Sequence, residues 1–136
     1  MLLKFLMALL VGLGVFFAQA QSMRIGLFPN QKFTKIKFAN ALDSYFILAD
    51  TTFIGVMDHF SFCEISKGTN GTMDVVFQGT KTIGVKEVKI IASQREKSLE
   101  ISGLSPGMKA RAFEGDFLVR SVNGVLLMVN LVDLET

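Results

Sequence analysis

The sequence predicts an all-β domain, a small sandwich or open barrel of short antiparallel strands, following a helical export signal. Three observations predict it. Helix signals are nearly absent after residue 22, and side chains instead alternate with a period of two. Thr34, Ile36 and Phe38 fall on one face against Lys35 and Lys37, and Val88 and Ile90 oppose Glu87 and Lys89. Gly, Asn, Asp, Ser and Thr cut the chain into about eleven short β-rich runs, the spacing of a sandwich or barrel. Two Asn-Gly pairs, Asn70-Gly71 and Asn123-Gly124, supply the positive-φ residues that tight hairpins demand.

The first twenty residues are a separate element. Met1 to Ala20 holds 16 apolar residues and a single charge, Lys4. Lys4 forms a positive n-region, Leu6 to Phe17 an apolar run, and Ala18-Gln19-Ala20 the small-x-small site of a signal peptidase. The run is too short for the ~20 residues that a membrane span needs, and no stable span is expected once the signal is cleaved. The expected division is a signal at 1–20 and one β domain at 21–136.

Strands are then expected at Met23–Phe28, Phe33–Ala39, Ser44–Ala49, Thr52–Met57, His59–Ile65, Thr72–Phe77, Ile83–Ala92, Ser98–Ile101, Lys109–Glu114, Phe117–Val122 and Val125–Leu131. The last two form a hairpin about Asn123-Gly124, with Val122 opposite Val125, Arg120 opposite Leu127 and Leu118 opposite Val129. Phe117, Val119, Leu126 and Met128 share its other face. Both faces are largely apolar, so one packs on the core and the other needs a cover. Asn70-Gly71-Thr72 spells a glycosylation sequon, a tripeptide common by chance, and its plain role is a turn.

Composition excludes several classes. The chain has 136 residues, half of them hydrophobic, with a mean hydropathy of +0.45, which is incompatible with intrinsic disorder. Without the signal, 13 basic and 12 acidic side chains remain, leaving no basic excess for binding nucleic acid. Cys63 is the only cysteine, so no internal disulfide can form. Cys63 and the only histidine, His59, are four residues apart, but two ligands fall short of a metal site. No cofactor motif is present.

Catalytic patterns are equally sparse. A Ser-His-Asp site would have to use His59, and no nucleophile elbow accompanies it. Glu114 and Asp116 flank Gly115 and read as solvated turn residues. Asp133 and Glu135 are about 7 Å apart along a strand, the range of a glycosidase pair, but stand at the last residues of the chain, where no pocket is preorganised. Lys35, Lys37, Lys86 and Lys89 could touch an anionic polymer such as the cell wall, but nearby Glu87 and the near-zero net charge favour a solvated sheet face. Ten phenylalanines follow the signal, with no tryptophan and one tyrosine, Tyr45, a balance that points to core packing over a carbohydrate platform.

From Phe113 the chain reads Phe-Glu-Gly-Asp-Phe-Leu-Val-Arg-Ser-Val-Asn-Gly-Val-Leu-Leu-Met-Val-Asn-Leu-Val-Asp-Leu-Glu-Thr. This segment resembles the SpoIID/LytB family, that is, stage II sporulation protein D and the amidase enhancer LytB. A glycine precedes a hairpin, followed by an asparagine and a Leu-Glu pair, and Gly115, Asn130, Leu134 and Glu135 occupy the matching positions. The strand Met23-Arg24-Ile25-Gly26-Leu27-Phe28 is also similar to the family's first strand.

The resemblance implies an exported bacterial envelope domain, located in the periplasm, the cell envelope or the medium and tied to peptidoglycan remodelling. Its partners would be glycan strands or a cell-wall hydrolase. Sporulation members of the family are lytic transglycosylases, whose catalytic glutamate follows the Leu-Glu pair by about ten residues. This chain stops at Thr136, so no catalytic residue carries over. The expectation is the amino-terminal β portion of a longer member, not catalytic as it stands, with an apolar patch exposed beside Leu127, Val129 and Leu131. The alternative is a stand-alone envelope module for binding or structure.

Overall fold

The computed structural model describes residues 22–94 and 97–133. The expected signal, Leu134 and Glu135 lie outside the described residues. The domain is all-β: twelve strands, every pairing antiparallel, form two six-stranded sheets that pack as a sandwich and do not close into a barrel.

The strands are β1 (Ser22–Leu27), β2 (Lys35–Ala39), β3 (Tyr45–Ala49), β4 (Thr52–Met57), β5 (Cys63–Lys67), β6 (Met73–Phe77), β7 (Thr80–Val85), β8 (Glu87–Ala92), β9 (Ser98–Ser105), β10 (Gly107–Glu114), β11 (Asp116–Val122) and β12 (Val125–Asp133). The first sheet runs β1-β12-β11-β8-β3-β4 and the second β10-β9-β2-β5-β6-β7. The chain crosses between them repeatedly, so both sheets are built from distant segments.

Alternation places the core as expected. Ile36 and Phe38 of β2 are fully buried, as are Val88 and Ile90 of β8. Phe38 of the second sheet packs its ring on Phe117 of the first at 5.7 Å, and Tyr45, in the same sheet as Phe117, packs on it at 6.3 Å. Each such side chain contributes about 1.5–3 kcal/mol by leaving water, which lets one core hold the domain without a disulfide. Gly103 exists for the same packing, because a Cβ there would run into the Phe33 ring.

The β11–β12 hairpin has the expected register: Val122 pairs with Val125, Arg120 with Leu127 and Leu118 with Val129. Asn123 and Gly124 take φ values of 53° and 80°, as a type I′ turn requires. Phe117, Val119, Leu126 and Met128 line the core face. On the outer face Leu118 is covered by its neighbours, but Leu127 remains 48% exposed.

Four expectations need correction. The run Ile83–Ala92 is two strands in different sheets, β7 and β8. The break falls at Lys86, where the Asp50 carboxylate accepts hydrogen bonds from the Lys86 and Glu87 amides at 3.0 and 3.1 Å, and Gly84 turns the chain at φ 73°. The strand expected from His59 begins only at Cys63, because Asp58 folds the preceding residues into a turn. Asp116 is half-buried and opens β11; it is not a solvated turn residue. Finally, the phenylalanines are not all core. Phe46, Phe53, Phe60 and Phe62 are exposed.

Candidate functional site

Two constellations stand out. The first is the corner at Gly115, between β10 and β11. Gly115 has φ 99°, and an added Cβ would strike the Leu131 carbonyl oxygen. Asn130, 4% exposed, points its amide into this corner. Its Nδ2 donates to the Glu114 carbonyl at 2.8 Å and to the Asp116 carbonyl at 3.0 Å. The two described positions that carried the family resemblance therefore meet, and what they do here is hold backbone. Asp116 Oδ1 in turn accepts the Ala92 amide at 2.9 Å. Burial raises the Asp116 pKa, and the Ala92 hydrogen bond opposes that shift. Tyr45 donates its hydroxyl to the Lys97 carbonyl at 2.8 Å. Burial, reinforced by the Asp116 and Glu114 charges, pushes the Tyr45 phenol well above its usual range. Among the described residues no buried side-chain nitrogen or oxygen lacks a hydrogen-bond partner, and the buried polar groups of this corner are engaged in holding backbone.

The second constellation is an open groove of about 280 Å³ on the outer face of the second sheet. Its floor is Lys37 of β2 with Glu100 and Ser102 of β9, all directed outward because Ile36, Phe38, Leu99 and Ile101 between them point into the core. Its wall is the turn before β5. Asp58 accepts from the Phe60 amide at 2.9 Å and from the Ser61 hydroxyl at 3.1 Å, and Ser61 Oγ accepts the Asp58 amide at 3.0 Å. This short polar lock projects Phe60 into water at 93% exposure. His59 stacks edge-on against the Phe60 ring at 5.3 Å. Lys37 Nζ lies over Phe62, 5.2 Å from the ring centre. Asn40 Nδ2 donates to Glu100 Oε1 at 2.8 Å, fixing the one carboxylate among the groove-lining residues.

The residues considered from sequence separate here. His59 lines the groove, whereas Cys63 faces the core with no exposure, and burial followed by the Glu64 charge pushes its thiol up to about 12. Among the described residues no group of three His, Cys, Asp or Glu side chains could hold a metal. Lys35 and Lys89 pair with Glu64 and Glu87 at 3.8 and 3.9 Å, while Lys37 belongs to the groove. Phe60, Phe62, Asn40 and Glu100 were not singled out by sequence. The signal that could have found Phe60 is the Asp58-x-x-Ser61 spacing, which marks a turn and so takes Phe60 off the sheet; Asn40 and Glu100 carry no local signal.

No family model matches the chain, and no curated protein or solved structure matches it either.

Proposed function

We propose that the protein is an exported bacterial envelope domain of the SpoIID/LytB type that holds peptidoglycan glycan strands in the groove beside Phe60, without cleaving them. The carrying observation is an almost fully exposed phenylalanine beside a fixed carboxylate, an amide and a lysine. A pyranose ring has an apolar C–H face that suits an aromatic ring and a rim of hydroxyls that suits Asn40, Glu100 and Ser102. Glycan stripped of its stem peptides also bears lactyl carboxylates, the complement of Lys37. Cleavage would need an acid positioned to protonate the leaving glycosidic oxygen, whereas Glu100, the one carboxylate among the groove-lining residues, accepts a hydrogen bond from the Asn40 amide.

The test is binding of purified denuded glycan strands, measured by co-sedimentation. Phe60→Ala is expected to weaken binding at least about tenfold with the fold unchanged, because covering one exposed phenylalanine ring with a sugar face contributes about 1.5–3 kcal/mol. Unaltered binding by that variant, or release of new reducing ends by the wild type, would refute the reading.

A further inference from the structure

The outer face of the first sheet carries Phe46, Phe53, Val56 and Leu127 at 39–57% exposure, with Leu48, Ile91, Val129 and Leu131 partly exposed between them. A face this apolar is unusual for a surface that meets only water. We infer that it is the seat of a second copy of this chain, packed sheet to sheet about a twofold axis that runs along the strands.

The strand order carries the argument. In β1-β12-β11-β8-β3-β4 the midline falls between β11 and β8. A twofold on that line sets β11 of one copy over β8 of the other, β12 over β3 and β1 over β4. Three of the resulting meetings are complementary. The same operation also sets Lys89 over Leu118 and Arg24 over Val56, where the long side chains lay their methylene stems on the apolar groups, and Lys89 stays 3.9 Å from Glu87. Arg120 and Glu87 are register partners on the midline, already joined at 2.6 Å. The twofold puts Arg120 of each copy over Glu87 of the other, closing a ring of alternating charge where a mismatched pairing would set like charges together. One step along the strands, Phe53 is level with Leu48, Lys89, Leu118, Val129 and Gly26 through successive pairings. Phe53 of one copy therefore lands on Gly26 of the other. Gly26 is the one glycine on this face among the described residues, with nothing within 4 Å of where a Cβ would stand. A second step along, Leu131 comes over Phe46, an aliphatic group against a ring.

The area is sufficient. Six strands at about 4.8 Å and about six residues at about 3.3 Å give a face of roughly 600 Å². Two copies then bury about 1,200 Å², the lower end for a specific interface. Interfaces at this end of the range include weak, reversible ones. The groove lies on the opposite sheet and stays open.

The experiment is sedimentation equilibrium of the protein purified from an exporting host, over a range of concentrations. A monomer–dimer equilibrium is expected in the micromolar range. Phe53→Lys and Gly26→Leu should each raise its Kd at least about tenfold. Ile83→Lys, on the exposed β7 of the other sheet, should leave it unchanged. Gly26→Leu enters open space, so it reports on the interface even if Phe53→Lys fails to fold. Mixing Arg120→Glu with Glu87→Arg should form a heterodimer more readily than either variant self-associates. A protein that stays monomeric to about 1 mM, a dimer indifferent to both Phe53→Lys and Gly26→Leu, or a monomer whose face binds lipid vesicles instead would overturn the inference.

Discussion

Replacing Asn130 by alanine tests the corner that ends β10 and starts β11. The side chain is buried and its Nδ2 donates to two carbonyls, Glu114 at 2.8 Å and Asp116 at 3.0 Å. Each hydrogen bond has a net worth of about 1 kcal/mol, and a carbonyl left without a partner adds about 1–3 kcal/mol where water cannot reach it. Half of that corner is open to solvent, so the expected loss is about 2–4 kcal/mol. For a domain of this size that lowers Tm by roughly 10–20 °C. Asn130→Asp should be worse at neutral pH, because a carboxylate would face two carbonyl oxygens with no proton to donate. Its stability should recover toward acid, where a protonated carboxyl can donate again. The chain has no tryptophan and one tyrosine, so urea unfolding is best followed by circular dichroism. A loss below about 1 kcal/mol for Asn130→Ala, or a flat pH profile for Asn130→Asp, would show that the amide does not hold this corner.

Three further outcomes follow from the packing. Gly103→Ala should cost about 1–3 kcal/mol, since the new methyl must displace the buried Phe33 ring, and the urea midpoint will report it. Cys63 should resist a thiol reagent at pH 8 in the native protein and react promptly in urea, because it is buried and its thiol is held at about 12. Asp116 has a raised folded-state pKa, so folding favours its protonated form. That contribution is complete below the usual aspartate value of 3.8 and is lost as pH rises through the folded-state value. Asp116→Asn, whose amide oxygen can still accept the Ala92 N–H, should therefore gain on the wild type as pH rises from 3 toward 7, and parallel profiles would refute this assignment.

Much of the fold was legible in local pattern. The register of β11 and β12 follows from Asn123-Gly124, since a two-residue turn leaves the flanking strands one way to pair. The inward residues of β2 and β8 follow from their alternation with lysine and glutamate. The candidate site was much less legible. Lys37 was visible as an outward lysine and His59 as the lone histidine, but Asn40 and Glu100 are sixty residues apart and meet only because β2 pairs with β9.

The sequence alone determined that the domain is built from strands, where its tight hairpin lies and which residues of β2 and β8 face inward, because side-chain period and turn chemistry are properties of neighbouring residues. Only the tertiary structure decided that Thr80–Ala92 divides between two sheets, that Phe60 stands in water while Phe38 is core, and that Asn130 closes on Gly115. Those outcomes depend on which distant strands pair and which face a second sheet covers, and a hydrophobic side chain carries no mark of its partner until the layers are assembled.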